Sequence, residues 1–170
     1  TDGRVRDVNG RRIDLVVNAL LSIVDRSTYS AYDLLVVDNG RLSADAERAI
    51  AQVGARRVTY RLEGPFNFPH KLNFAARHAA GDHLVIFNDD LEVITPGWIE
   101  AMLEFSAQPR IGAVGAKLIY PDGRLQHAGM VLGVCGVARL GERGAGGRGR
   151  QPRVGRALQL LPHADTVLVA

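Results

Sequence analysis

The residues of this chain with the clearest chemical potential are Asn88, Asp89 and Asp90, which directly follow the apolar run Leu84–Phe87. A continuous apolar run of this length predicts a strand that is buried on both faces, as in a parallel sheet covered by helices. Open α/β sheets bind ligands at the carboxyl ends of their strands, where these polar residues stand. Two adjacent carboxylates favour a hard cation such as Mg²⁺, which commonly joins one or two carboxylates to substrate phosphates. Taken alone, the pair can also be an ordinary polar exit from a strand.

A second predicted strand ends in the same way. Asp33–Val37 is a short, mainly apolar run followed by Asp38, Asn39 and a turn glycine, Gly40. Because the carboxyl ends of parallel strands share one edge of a sheet, Asp38 and the cluster Asn88–Asp90 are expected to line one cleft. Convergent carboxylates with helix amino termini nearby suit a metal-bound nucleoside diphosphate, and a purely structural role is the alternative.

Strands and helices alternate up to about residue 107, which indicates right-handed βαβ units and a mainly parallel sheet. Apolar residues at helical spacing predict a helix over about residues 11–25, and Ser43 is the expected N-cap of a second helix. The other expected elements, in chain order, are a strand at Arg56–Arg61, a loop at Gly64–Asn67, a helix at Pro69–Ala80, a helix begun by Thr95 and Pro96, a strand at 111–120, and a turn at Pro121–Gly123 into a further strand.

Length and composition are those of one ordinary globular domain. The chain has 170 residues, of which 46% are hydrophobic and 23% are charged, and no run approaches the ~20 apolar residues of a membrane span. The single cysteine, Cys135, excludes an internal disulfide and a multi-cysteine metal site, and it fits a reducing, cytoplasmic setting. The function must therefore be argued from the motifs.

The net charge of +3 is unevenly spread, because the tract 139–156 contains six arginines, six glycines and only one acid. Such a tract can meet an anionic ligand or surface, but its composition favours a flexible, solvated loop. A non-catalytic module that binds nucleotides or nucleic acid is the corresponding alternative function. The tract lacks the interleaved aromatic residues that stack on bases, so no nucleic-acid partner is expected.

Three blocks of the sequence resemble family 2 glycosyltransferases with the GT-A fold, particularly the bacterial branch of rhamnosyltransferase-like enzymes. They are STYSAYDLLVVDNG, GPFNFPHKLNFAARHAAGDHLVIFNDDLEVITPGWIEAML and IGAVGAKLIYPDGRLQHAG, and they cover roughly residues 11–130 in the order and spacing of the family. The resemblance implies a Rossmann-like, three-layer α/β sandwich with a mainly parallel central sheet, as a single partial domain over residues 1–170. It places the first strand of the family before Thr1, and the general base and acceptor-binding half beyond Ala170.

The resemblance also implies roles for individual residues. Asp90, at the position of the family's D-x-D-like motif, would bind Mg²⁺ or Mn²⁺, and Asp89 would face the ribose or the water shell of the metal. Asp38 corresponds to the family aspartate that contacts the nucleotide base. The other residues expected to border the donor nucleotide are Thr1, Asp2, Asn39, Asn67 and Asn88.

The implied reaction is the transfer of a sugar, with inversion, from a nucleotide-diphospho-sugar to a hydroxyl group of a saccharide or lipid-linked acceptor. This reaction would serve the synthesis of cell-surface polysaccharide or glycolipid, in the cytoplasm or with the full-length protein at the inner face of the membrane. Because the general base is expected beyond Ala170, the 170-residue piece itself is expected to be inactive. The alternative enzyme hypothesis is a nucleotidyltransferase with a GT-A-like sheet, but the FNF and QHAG blocks argue against it.

Overall fold

The computed structural model describes residues 4–8, 10–61 and 64–128, together with the backbone of four later strands. The helices are α1 (Leu15–Arg26), α2 (Ala44–Gln52), α3 (Phe68–Ala76) and α4 (Trp98–Ser106). The strands are β1 (Val5–Val8), β2 (Arg11–Asp14), β3 (Leu35–Asp38), β4 (Arg56–Thr59), β5 (Ile86–Asn88), β6 (Leu91–Val93), β7 (Lys117–Ile119), β8 (Leu125–His127), β9 (Met130–Val134), β10 (Val137–Leu140), β11 (Ala157–Leu160) and β12 (Val167–Val169).

The chain divides into two compact units. The first comprises Thr1–Asp25, Ser30–Leu91 and Pro162–Ala170, and the second comprises Arg26–Tyr29 and Glu92–Leu161. The first unit contains the described residues that the sequence assigned to the site, which are Asp38, Asn39, Asn67, Asn88, Asp89 and Asp90. The expectation of a single partial domain stays a prediction.

The sheet of the first unit has the strand order β4–β3–β12–β5. β3 and β4 pair in parallel, and β12 is antiparallel to both β3 and β5. β3, β4 and β5 therefore run in one direction, as the predicted mainly parallel sheet requires, and only β12 runs against them. Because α2 connects β3 to β4 and α3 connects β4 to β5, the predicted α/β fold class is confirmed.

The core of the first unit surrounds β3. Every residue of β3 is buried, so that both faces of the strand are covered. On one face, Leu35 and Val37 pack with Tyr60 and with Ala75 of α3. Since full burial of a side chain the size of valine or leucine stabilises the fold by about 1.5–3 kcal/mol, this packing fixes the position of the strand that ends in Asp38. Helix α1 buries Leu15, Val16, Ala19, Leu20 and Ile23.

Two linked N-caps set the starts of α1 and α2. Ser43 Oγ accepts a hydrogen bond from the Ala46 N–H at 3.0 Å, which confirms the predicted cap of α2. The same hydroxyl donates to Asp14 Oδ2 at 2.7 Å, while Asp14 Oδ1 accepts from the Val16 N–H at 3.1 Å. The predicted start of the first helix at residue 11 is wrong, because Arg11–Asp14 pairs with β1 and Asp14 caps the helix that follows.

Helix α4 begins later than the sequence predicts. Its N-cap is Gly97, without a side-chain capping bond, and Thr95 and Pro96 precede the helix. The Thr28 N–H donates to the Pro96 carbonyl oxygen at 3.0 Å, and the Thr28 hydroxyl donates to the same oxygen at 3.1 Å. These bonds hold the segment in a turn before α4, so the predicted N-cap at Thr95 is wrong.

The remaining predicted elements are present with shorter or shifted bounds. The turn at Pro121–Gly123 is confirmed, since the Gly123 N–H donates to the Tyr120 carbonyl oxygen at 2.9 Å and leads into β8. The Arg/Gly-rich tract 139–156 lies outside the described residues, except for the two that end β10. The elements with changed bounds are β3, β4, α3, β5 and β7. The predicted burial of the run Leu84–Phe87 on both faces is wrong, because Leu84 and Ile86 are 49% and 54% exposed and only Phe87 of the run is buried.

Apart from Leu91 at the start of β6, the second unit contains a sheet of strand order β6–β11–β7–β8 and a hairpin of β9 and β10. β11 and β7 are parallel, and β7 and β8 form an antiparallel pair. None of the helices within the described part of the chain is both long enough and apolar enough to cross a membrane.

Candidate functional site

The carboxyl ends of β3 and β5 lie at the same edge of the sheet. In the register of the sheet, Val37 and Asn88 both lie opposite Val167 of the intervening strand β12. Asp38 and Asp89, each one residue further along, therefore lie level at this edge. Two inter-strand spacings of about 4.8 Å separate their backbones by about 10 Å. The structure thus brings the two acidic strand ends to one edge, as the sequence predicts.

Asp89 and Asp90 form the turn between β5 and β6, and both are buried, with exposed fractions of 3% and 5%. Oδ1 of Asp89 is fully buried and accepts no hydrogen bond from the described residues. Oδ1 of Asp90 is in the same situation, although Asp90 as a residue has another polar interaction. A buried carboxylate oxygen without a hydrogen-bond donor is energetically costly, and one that a protein retains calls for a ligand or another specific role.

The chemistry of this turn fits a hard divalent cation that is shared with a ligand. Mg²⁺ prefers oxygen ligands and usually binds through one or two carboxylates together with phosphate and water oxygens. Among the residues with described side chains, no group of three or more His, Cys, Asp and Glu could hold a metal ion on its own. Asp89 and Asp90 therefore suit a cation that arrives with a phosphate-bearing ligand.

Asp38 is fully buried at the end of β3, and donors from β4 and the following turn hold its carboxylate. Arg57 Nε donates to Oδ2 at 2.7 Å, and Arg57 Nη2 donates to Oδ1 at 3.4 Å. The Gly40 N–H also donates to Oδ1, and the Thr59 hydroxyl donates to Oδ2 at 3.4 Å. Burial alone would raise the pKa of Asp38, but the hydrogen bonds from Arg57 and Gly40 and the charge of Arg57 outweigh it and lower this pKa.

Arg57 joins the end of β3 to helix α2. Its Nη1 donates to Glu47 Oε1 at 3.0 Å, so that the guanidinium bridges two carboxylates. The hydrogen bond to Asp38 raises the pKa of Arg57 and keeps the side chain charged.

Arg57 was not among the residues predicted for the site. The one signal in the sequence is the alternation of side chains along a strand, which places Arg57 and Thr59 on the same face of β4. The importance of that face depends on the register, in which Thr59 pairs with Asp38 of the parallel neighbour β3.

The other predicted site residues have different surroundings. Asn39 and Asn88 lie half-buried at the same sheet edge. Asn67 is the N-cap of α3, and its Oδ1 accepts from the His70 N–H at 3.0 Å, so its carbonyl oxygen serves the helix start. The remaining two, Thr1 and Asp2, lie outside the residues that the structure describes.

Comparison with known proteins matches most of the chain to one family. The family model described as glycosyl transferase family 2 matches residues 10–144. The chain is 44% identical over 123 residues to the uncharacterized protein y4gI of Sinorhizobium fredii, and 35% identical over 128 residues to the O-antigen biosynthesis protein RfbC of Myxococcus xanthus. These alignments cover 71% and 75% of the chain, but only 14% and 10% of the respective relatives. No solved structure matches the chain.

The lowered pKa of Asp38 predicts how stability depends on pH. The folded protein favours the ionised carboxylate of Asp38. The resulting stabilisation of the folded state is therefore complete well above the usual aspartate pKa of about 3.9, and it is lost as the pH falls through the lower pKa that Asp38 has in the folded protein. We expect wild type to exceed Asp38→Asn in free energy of unfolding at pH 7, and this difference to shrink towards pH 3. Urea unfolding over this pH range measures the difference. The exposed Asp33→Asn serves as control, and a pH-independent difference for Asp38→Asn would refute the assignment.

The buried carboxylate of Asp89 predicts a substitution that stabilises the protein. In the presence of EDTA, Asp89→Asn removes a buried charge, and we expect the free energy of unfolding to rise by about 1 kcal/mol. Urea unfolding measures the change. The matched control is Asp82→Asn, an exposed residue before β5, for which no change is expected. If Asp89→Asn instead lowered stability by a similar amount, Asp89 would have a structural partner.

Proposed function

The chain belongs to glycosyl transferase family 2, an α/β family of GT-A fold, and we propose that it binds the nucleotide-sugar donor of an inverting glycosyltransferase. The protein would transfer a sugar from a nucleoside-diphosphate carrier to a hydroxyl group of a saccharide or lipid-linked acceptor. The relative named as an O-antigen biosynthesis protein supports cell-surface polysaccharide as the product class. We place the reaction in the cytoplasm, at the inner face of the membrane when the acceptor is lipid-linked.

The observation that carries the proposal is the buried carboxylate of Asp89, whose Oδ1 has no hydrogen-bond donor among the described residues. It stands at the carboxyl edge of the sheet, where α/β proteins bind their ligands. A purely structural aspartate at a strand end would be expected to have its donors, as Asp38 does. The turn at Asp89 and Asp90 is therefore the part of the edge that suits a cation and the diphosphate.

The dimensions of the edge support an extended nucleotide. Asp38 lies level with Asp89 at a separation of about 10 Å, which is two strand spacings. A nucleoside diphosphate with its phosphates at Asp89 and Asp90 would reach along this edge towards the end of β3. In this proposal the base lies near Asp38 and Asn39, and Asn88 borders the diphosphate.

Asp90 is the proposed protein ligand of Mg²⁺ or Mn²⁺, and Asp89 faces the ribose or the water shell of the ion. When bound, such a cation would offset the charge that develops on the leaving diphosphate. The acceptor hydroxyl needs a base, for which a carboxylate is the expected group. We assign none of the described residues to that role, so donor binding is the activity that we propose for them.

The proposal predicts nucleotide binding that depends on both a metal and Asp90. Calorimetric titration of UDP and dTDP should show binding with Mn²⁺ and at least tenfold weaker binding with EDTA. Asp90→Asn, which keeps the shape of the side chain but removes its charge, should weaken binding in Mn²⁺ by at least tenfold, or about 1.4 kcal/mol.

The matched control is again Asp82→Asn, which replaces an exposed acid close to β5 and should bind as wild type does. Circular dichroism must show that all variants are folded. The proposal fails if the folded wild type binds neither nucleotide, or if Asp90→Asn binds both as tightly as wild type in Mn²⁺.

A further inference from the structure

We propose that Arg6 and Arg11, which share one face of the hairpin formed by β1 and β2, bind the diphosphate of the donor nucleotide. The inference deepens the proposed function and rests on it, because it adds two residues to the same donor site. Three features of the structure support it: the place of the hairpin at the sheet edge, the lack of acids on the face that carries the two arginines, and the charge of the proposed ligand.

The hairpin is attached at the carboxyl edge of the first sheet. β2 ends at Asp14, and α1 begins at the next residue. Asp14 Oδ2 accepts the hydrogen bond from Ser43, the N-cap of α2, at 2.7 Å. Only residues 39–42 separate Ser43 from Asp38, the last residue of β3. The base of the hairpin is therefore held beside the strand end along which the donor nucleotide is proposed to lie.

The register of the hairpin places the two arginines on one face. Arg6 lies opposite Ile13, and Val8 lies opposite Arg11. Residues directly opposite each other share a face, and so do alternate residues of a strand, so these four side chains form one face. Arg6 and Arg11 are diagonal neighbours on it, at a distance of about 7–8 Å. Two long side chains at this distance can converge on one diphosphate group.

The acids of the hairpin belong to its other face. Asp7 and Asp14 lie there together with Arg12, which is directly opposite Asp7. Both acids also have structural roles, because Asp7 Oδ1 accepts from the Gly10 N–H at 2.9 Å in the turn and Asp14 caps α1. The face of Arg6 and Arg11 therefore carries two positive charges and no negative one.

Arg6 and Arg11 are available to a ligand. Within the described part of the chain, no hydrogen bond or ion pair engages either guanidinium. Arg11 is exposed, and Arg6 is half-buried. Like charges on one face of a hairpin repel each other, and an anion between them replaces this repulsion with attraction. A guanidinium can also donate two parallel hydrogen bonds to a phosphate group, which makes phosphate a well-matched anion.

The charge of the proposed ligand requires such cations. A nucleoside diphosphate carries about three negative charges at pH 7, of which a single divalent cation offsets two. The carboxylates of Asp89 and Asp90 add to the negative charge at the same edge. Arg57, the cation at the end of β3, is already paired with Asp38 and Glu47. Arg6 and Arg11 supply positive charge that no acid of the described residues already uses.

The chain offers a matched control in Arg12, the residue that follows Arg11 in β2. Its side chain lies on the opposite face of the hairpin, across from Asp7. Arg11→Gln and Arg12→Gln remove the same charge from neighbouring positions. A general effect of net charge on nucleotide binding would appear equally in both variants.

The test is calorimetric titration of UDP and UMP, in Mn²⁺, into wild type, Arg6→Gln, Arg11→Gln and Arg12→Gln, with thermal unfolding of each variant. Arg6→Gln and Arg11→Gln should each lose at least fivefold in UDP affinity, and Arg12→Gln should lose less than twofold. UMP lacks the terminal phosphate, so its affinity should fall less than that of UDP in the first two variants. If the half-buried Arg6 is needed for folding, the exposed Arg11 carries the test.

Three results would overturn the inference: wild-type UDP affinity in Arg11→Gln, an equal loss in Arg12→Gln, or equal losses of UDP and UMP affinity in Arg11→Gln. A phosphate of a lipid headgroup is the other source of the same chemistry. If Arg11→Gln kept its UDP affinity but lost binding to vesicles that contain phosphatidylglycerol, the arginines would serve a membrane surface and not the donor. A folded wild type that binds neither UDP nor dTDP would instead refute the proposed function.

Discussion

A charged carboxylate at the end of a strand buried on both faces must be compensated inside the protein, and Asp38 meets this constraint through Arg57. Leaving such a charge unpaired would cost several kcal/mol, so its donors are as much part of the fold as the apolar core beneath them. Arg57 comes from the adjacent parallel strand, and the Gly40 N–H comes from the following turn. Gly40 has φ 83°, a conformation that glycine adopts without steric cost. The carboxylate of Asp38 thus stabilises both the pairing of β3 with β4 and the turn after β3.

The same edge of the sheet carries carboxylates in opposite situations. Asp38 is surrounded by donors, whereas Oδ1 of Asp89 is buried without one among the described residues. One belongs to the framework, and the other suits an external cation. The two ends of this edge therefore differ in chemistry. The Asp38–Arg57 ion pair lies at β3 and β4, and the turn that suits a cation follows β5. A nucleoside diphosphate bound to a metal ion is likewise asymmetric, with the cation and the phosphates at one end and the base at the other.

Features set by local chemistry could be predicted from the sequence, and features set by distant pairing could not. The Ser43 cap and the acidic ends of two apolar strands follow from residue types within a few positions. The start of α1 depends instead on Arg11–Asp14 pairing with β1, and the start of α4 on hydrogen bonds from Thr28. The significance of Arg57 likewise depends on the register between β3 and β4, and β12 takes a place between β3 and β5 that no local signal indicates.

The most direct test is to locate a bound nucleotide by paramagnetic NMR. Amide spectra would be recorded with UDP and Mg²⁺, and again with UDP and a trace of Mn²⁺, which broadens signals near the ion. If the metal binds at the turn after β5, the amides of residues 88–91 should broaden first, those of residues 38–40 more weakly, and those of residues 54–56, at the start of β4 and level with the opposite end of β3, least. Selective broadening elsewhere, with residues 88–91 unaffected, would contradict the assignment of the site.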